Sequence, residues 1–177
     1  MTDSRTWVRP EVRALAAYSV PDARGLVKLD AMENPYAWPL ALRQEWLQLL
    51  ADEPVNRYPE PVPADLMALV RAAAAIPESA GVMFGNGSDE LIQILALALR
   101  RECTVMAPQP TFVMYRLIAQ TVGLPFVGVP LRSDFALDMA AMRAALTHHR
   151  PGLLFLSYPN NPTGNLFSED DLRQLIE

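Results

Sequence analysis

Apolar positions follow two rhythms along this chain. Before Gly81 they recur at helical spacing between proline-rich polar stretches; after it, short unbroken apolar runs alternate with helix-period segments. Val12, Leu15 and Ala16, joined by Val8, suggest a short amphipathic helix that Tyr18-Ser19-Val20-Pro21 brings to an end, since a residue before proline resists α geometry. Val27-Lys28-Leu29-Asp30 reads as a brief extended piece. Leu42, Trp46, Leu49 and Leu50 put one apolar face on a helix over 40–51, and Leu66, Leu69, Val70 and Ala73 point inward from a second over 64–75, stopped by Pro77. Between them, Asn56-Arg57-Tyr58-Pro59-Glu60-Pro61-Val62-Pro63 is too rich in proline for regular structure and predicts a stiff, exposed connection.

From Gly81 the pattern predicts strands at 82–84, 104–107, 126–129 and 153–157, with helices at 89–101, 112–122, 138–146 and 169–176. The strands lack polar alternation, and continuous apolar strands separated by helices indicate a parallel sheet covered on both faces. The fold class expected is therefore α/β.

One junction in this series carries chemistry. In Phe84-Gly85-Asn86-Gly87-Ser88-Asp89-Glu90-Leu91, two glycines and an asparagine tolerate the positive φ of a tight turn. Ser88 is a suitable N-cap, and Asp89 and Glu90 sit where carboxylates complement a helix dipole. The stretch reads either as a well-capped buried helix or as a helix N-terminus whose free amides take an anion, best a phosphate. Its spacing is neither that of a Walker A loop nor GxGxxG.

Composition narrows the classes. With 177 residues, 51% of them hydrophobic, the chain can bury a sizeable core. A net charge of −5 argues against a nucleic-acid or anionic-membrane surface. The one cysteine, Cys103, reads as a small buried residue and excludes an internal disulfide or a cysteine-rich zinc site. Neither a signal core nor a run of transmembrane length is present, so a soluble cytoplasmic protein is expected. His148-His149 beside Arg150, and Arg100-Arg101, suit helix C-termini; Glu169-Asp170-Asp171 suits the first turn of a helix capped by Ser168, and no metal site is expected. Lys28 is the only lysine.

A second motif follows the last buried strand directly. Tyr158-Pro159-Asn160-Asn161-Pro162-Thr163-Gly164 occupies a strand's carboxyl end, where ligands gather in parallel sheets. The Asn161 amide, held before Pro162, can donate to an oxyanion on a ring; an ordinary Asn-Pro turn is the alternative.

This Asn-Asn-Pro-Thr-Gly stretch resembles that of the fold-type-I pyridoxal-phosphate enzymes, the aminotransferase superfamily. Glu33-Asn34-Pro35, Asn56-Arg57-Tyr58-Pro59, Gly87-Ser88-Asp89-Glu90 and Pro110-Thr111-Phe112-Val113-Met114-Tyr115 occur in the same order in its histidinol-phosphate aminotransferases. The resemblance covers essentially the whole chain. It implies a PLP-dependent transferase-like large domain, mostly parallel sheet flanked by helices, with an N-terminal helical arm. Residues 1–63 would form the arm and a small-domain or interface segment, and 64–177 an incomplete cofactor-binding large domain. It also implies that the backbone of Ser88, Asp89 and Glu90 cradles the cofactor phosphate, that Asn161 bonds the phenolic oxygen, and that Phe112 stacks on the pyridine ring. This family more often has tyrosine at the position of Phe112, and an aromatic face is all that stacking needs. Tyr58 would reach across a homodimer interface to the partner's cofactor phosphate, and Tyr18 and Asn34 would line the substrate pocket.

The implied reaction moves an amino group between histidinol phosphate and 2-oxoglutarate, with glutamate as the other product-side partner, in histidine biosynthesis. Three family parts are missing: the aspartate on the pyridine nitrogen, the Schiff-base lysine and the arginine that grips the substrate. In the family they lie beyond the point reached by Glu177, so the sequence reads as an N-terminal half that is inactive alone, and Lys28 does not replace the missing lysine. A phosphothreonine decarboxylase shares the early motifs, and a catalytically incomplete cofactor-binding or dimerisation fragment is the alternative from another class.

Overall fold

The computed structural model describes residues 7–16, 22, 24–28 and 33–176. The chain forms two compact units, Met1–Ala16 with Met83–Glu177, and Ala17–Val82.

The first unit opens with a single-turn helix, α1 (Pro10–Arg13), shorter than the expected arm helix. Two helices of the second unit, α2 (Leu40–Asp52) and α3 (Ala64–Ala73), fall where the periodicity puts them. The first unit then resumes with α4 (Ser88–Ala98), β1 (Val105–Gln109), α5 (Met114–Val122), β2 (Phe126–Pro130), α6 (Met139–His149), β3 (Leu153–Leu154) and α7 (Glu169–Ile176). Its sheet is parallel, in the order β2-β1-β3, with Val105 opposite both Phe126 and Leu153.

Alternation along β1 divides the core. Val105 joins Ile92 and Ala96 of α4, Ile118 and Ala119 of α5, and Leu124 in one buried cluster. Met106, its neighbour, faces the opposite side, with Val129 and Met142 of α6. Both sheet faces are thus covered, as unbroken apolar strands require. Met139, Met142 and Leu146 lie on the inward side of α6 as expected, with Met142 fully buried. Asp138 caps that helix, its carboxylate accepting from the Ala141 amide at 2.9 Å.

Two strand expectations fail for reasons of pairing. Residues 82–84 are extended in pattern but join no ladder, neither outer edge of the sheet pairing with them. The last strand was expected to run to Ser157 and stops at Leu154. Even-numbered residues of β1 bond toward β3: Thr104 accepts from Gly152, and Met106 from Phe155, each at 2.9 Å. The next residue in that series is Pro108, which has no N–H to donate, so the β1–β3 ladder ends there while β1–β2 continues to Gln109.

In the second unit the helices are where expected, but their apolar faces are not covered. Neither α2 nor α3 has a buried residue. Leu66 and Leu69, expected inward, are exposed, and so is Ala73, there being no strand among the described residues of this unit to receive them. Its internal ties are local: Trp38 meets Trp46 edge to face at 5.8 Å, and Arg71 donates to the carbonyls of Pro77 and Ala80 at 2.8 and 2.5 Å. None of the described helices is long and apolar enough to cross a membrane.

Candidate functional site

The strand order places a topological switch beside β1. Chain leaving β1 goes through α5 to β2 on one side; chain leaving β2 goes through α6 to β3 on the other. Because α5 and α6 lie on opposite faces, the carboxyl ends of β1 and β3 mark a topological switch point, the position at which ligands bind in α/β sheets. The β1–β3 ladder ends short of it, at Met106 and Leu154. The loops on its two sides are 110–113, which carries Phe112, and 155–165, which carries Asn161.

The α4 N-terminus faces the same sheet edge. This helix has 11 residues, about 16 Å at the usual rise, and its C-terminal end feeds the start of β1. It packs alongside α5, which runs back from the carboxyl end of β1, so both helices begin at that end of the sheet. Local chemistry fixes that beginning. Gly87, not Ser88, is the N-cap, at φ 83° and ψ 172°, a backbone region essentially reserved for glycine. No side chain caps the helix, so the first-turn amides of Ser88, Asp89 and Glu90 keep the unpaired N–H groups common to helix starts. The Glu90 carboxylate folds back instead and accepts from the Asn86 amide at 2.5 Å. A Cβ on Gly85 would lie 2.8 Å from Leu91 Cδ2 and 3.0 Å from Glu90 Oε2, whereas one on Gly87 would meet nothing within 4 Å. The turn is therefore closed on its inner side and open on its outer one. Ser88, Asp89 and Glu90 are all exposed.

Phe112 precedes α5, which begins at Met114 rather than at Phe112 itself. Its ring sits edge-on to Tyr115 at 5.5 Å, and Tyr115 stacks on Phe155 at 4.5 Å and 1°. Burial pushes the Tyr115 phenol above its usual value, and the neighbouring Ser157 pulls it partly back. A row of three aromatic rings thus spans from the loop after β1 to the segment after β3.

The adjacent asparagines behave differently. Asn161 is half-buried, and its side-chain amide makes no hydrogen bond among the described residues. Asn160, which the sequence reading passed over, is 2% exposed and fully bonded. Its Nδ2 donates to the Pro110 carbonyl at 3.0 Å and to Thr163 Oγ1 at 2.6 Å, and its Oδ1 accepts from Thr111 Oγ1 at 2.9 Å. The only sequence signal for it was position, one residue ahead of the asparagine singled out.

In the first unit, Ser88, Asp89, Glu90, Phe112 and Asn161 thus all lie toward the carboxyl end of the sheet. Tyr58 and Asn34 lie in the other unit: Tyr58 is 100% exposed, and Asn34 Oδ1 accepts from the Tyr36 amide at 3.0 Å in a local turn. Tyr18 lies outside the described residues. Lys28 makes an ion pair with Glu33 at 2.7 Å. Among the described residues no group of histidines, cysteines and carboxylates could hold a metal; His148 and His149 meet edge to face at 4.6 Å on the exposed end of α6.

These donors suit one kind of ligand. An open, uncapped helix start fits a phosphate, an aromatic ring offers a face to a planar heterocycle, and an uncommitted amide fits an oxyanion on that ring.

Comparison with known proteins identifies the family. The profile of the family described as "Aminotransferase class I and II" matches residues 24–177. A histidinol-phosphate aminotransferase of Thiocapsa roseopersicina is 52% identical over 172 residues, covering 96% of this chain and 91% of that protein. Histidinol-phosphate aminotransferase 2 of Nitrosococcus oceani is 50% identical over all of this chain, which spans 50% of its length. Several other curated relatives are likewise matched over about half their length, 46% for one from Cupriavidus pinatubonensis. Among solved structures, the histidinol-phosphate aminotransferase of Sinorhizobium meliloti in complex with pyridoxal-5'-phosphate superposes with a TM-score of 0.75, covering 96% of this chain and 47% of that one at 22% identity. At that identity the likeness speaks for the fold.

Proposed function

The chain belongs to the class I and II aminotransferases, and from that premise we propose that it forms the phosphate- and ring-binding portion of a pyridoxal-phosphate-dependent transaminase acting on histidinol phosphate. The observation that carries this is the uncapped start of α4 at Gly87, at the same end of the sheet as Phe112 and Asn161. When bound, pyridoxal phosphate supplies the electron sink through which an amino group changes carrier. The amides of Ser88, Asp89 and Glu90 hold its phosphate, the helix dipole adding to their hydrogen bonds. Phe112 covers a face of the ring and keeps water from it. Asn161 donates to the phenolic oxygen and so favours its ionised form. The amino group passes between histidinol phosphate and 2-oxoglutarate, glutamate being the counterpart, in the cytoplasm.

The same reading takes residues 1–63 as arm and interface, residues 64–177 as the cofactor-binding portion, and the working enzyme as a homodimer. The uncovered apolar faces of α2 and α3 support an interface, and full exposure of Tyr58 leaves its hydroxyl available to a second copy's cofactor phosphate. Asn34 and Tyr18 are assigned to the substrate pocket on family resemblance.

A second reading draws on the Lys28–Glu33 ion pair. With the chain's one lysine engaged there, these 177 residues taken alone bind the cofactor without a covalent link and do not turn over.

Titration with pyridoxal phosphate and with pyridoxal, followed by absorbance, tests the site. The phosphorylated form should bind at least about tenfold more tightly, the worth of one charge-assisted hydrogen bond, and Phe112→Ala and Asn161→Ala should each weaken it. Equal affinity for the two forms overturns the assignment of the α4 N-terminus. For the intact protein, assays of histidinol phosphate with 2-oxoglutarate and of phosphothreonine decarboxylation decide the substrate.

A further inference from the structure

We propose that Asn160 is a positioning residue, the buried hub of a hydrogen-bond relay that runs outward to the surface, ties all three strand-end loops together and sets the placement of Phe112 and Asn161; the functional part of this rests on the cofactor site proposed above. Asn160 has three side-chain hydrogen-bonding commitments, and each goes to a different group. One N–H donates to the Pro110 carbonyl, the other to Thr163 Oγ1, and Oδ1 accepts from the Thr111 hydroxyl. Pro110 and Thr111 immediately precede Phe112, so two of the three bonds grip the loop after β1.

The relay does not stop at Thr163. Its hydroxyl, having accepted from Asn160, donates to Asn165 Oδ1 at 2.5 Å, and Asn165 Nδ2 donates to the Phe135 carbonyl at 3.0 Å. Phe135 belongs to the loop between β2 and α6 and sits at φ 61°, an uncommon left-handed conformation for a non-glycine residue. Backbone bonds close the β3 side: the Asn160 amide donates to Asn165 O at 2.9 Å, and the Gly164 amide to Asn160 O at 2.7 Å. The orientation of each group is forced by its neighbours. Thr163 has one proton to give and gives it to Asn165, so it must accept from Asn160; Thr111 then has only the Asn160 oxygen to donate to. No buried side-chain polar atom is left unsatisfied among the described residues.

This geometry separates two parts of the site. Asn161 follows the hub by one bond and Phe112 follows Thr111 by one bond, so the amide for the phenolic oxygen and the ring for stacking are set by one network. The α4 start has no member in it. Loss of the relay should therefore loosen ring recognition and spare phosphate recognition.

The test uses the intact protein and Thr111→Val, which deletes a single hydroxyl at nearly constant shape, with Thr111→Ser as the conservative variant that keeps it. Asn160→Asp, which keeps the acceptor and loses both donors, is the stronger lesion. Backbone hydrogen exchange without cofactor is the first readout. In Thr111→Val, protection over 110–113 and 158–165 should fall by about tenfold, the upper range for one net hydrogen bond, and return in Thr111→Ser. The second readout compares affinity for pyridoxal phosphate, expected to fall severalfold, with affinity for inorganic phosphate, expected to hold within about twofold. Unchanged exchange in Thr111→Val overturns the relay, as does equal loss of both ligands, which marks a general loosening. If the unsubstituted protein fails to bind pyridoxal phosphate, the site assignment fails instead, and the exchange arm still decides the relay.

Discussion

The unit built on the sheet and the unit of residues 17–82 are both rich in apolar residues at helical spacing, yet only one buries them. In the first, Met106 and Met142 are completely enclosed; in the second, Leu49 and Leu69 are each 69% exposed. The helices themselves do not differ in kind. What differs is the presence of a sheet: β1 presents Val105 to one face and Met106 to the other, and each face recruits helices. Amphipathic pattern specifies that a helix has a face to cover, and says nothing of whether the cover lies in the same unit.

The largest expected effect breaks the comparison if it fails. Met142→Ala should cost about 2–5 kcal/mol of stability, through lost transfer energy and a cavity between α6 and the sheet, whereas Leu49→Ala should stay within about 0.5 kcal/mol. Urea unfolding midpoints of the two variants measure this. Similar losses would mean that α2 is as much a part of a core as α6.

Exposure alone is not the divide, and a smaller effect sharpens that point. Gly87 is exposed, like Leu49, but its backbone sits where an L side chain is strained. Gly87→Ala should destabilise by about 1–3 kcal/mol, or reset the turn and weaken phosphate binding. Phosphate affinity and thermal unfolding, measured on one preparation, check both branches; a variant neutral in both would remove the conformational argument for the α4 start.

The smallest effect is a pH dependence confined to the cored unit. Burial raises the Tyr115 phenol, so the fold prefers the neutral form. The unfolded chain ionises first as pH passes the ordinary value of 10.0. The stability from this group is complete below that pH and declines as pH rises toward the folded value. Unfolding followed from pH 9 to 12 should show a shallower decline in Tyr115→Phe, about the range over which tyrosines titrate.

Much of the cored unit was legible because its signals are local. Helices α4 to α7 and strands β1 and β2 follow from runs and periods within a few residues of the true ends. What escaped depends on pairing across the sequence. Nothing within 82–84 reveals whether a strand edge stands beside it, and nothing within 153–157 reveals that the residue opposite is a proline. For the site, the glycine turn and the Asn-Pro loop were readable as chemistry, but the division of labour between Asn160 and Asn161 was not. The two side chains are identical, and the bonds that bury one of them reach Pro110 and Thr111, 50 and 49 residues away. Ser88 was a reasonable cap by residue type; the glycine before it took that place by a conformation open to glycine alone.

The missing hydrogen of Pro108 has a consequence for how the sheet can be altered. Main-chain pairing joins β1 to β2 as far as Gln109, but joins β1 to β3 only as far as Met106. Beyond that point the tie between the β1 and β3 ends passes through the side chains of Asn160 and Thr111. One edge of β1 is thus fastened by main-chain bonds that substitutions other than proline leave in place, and the other by bonds that a single codon change can remove.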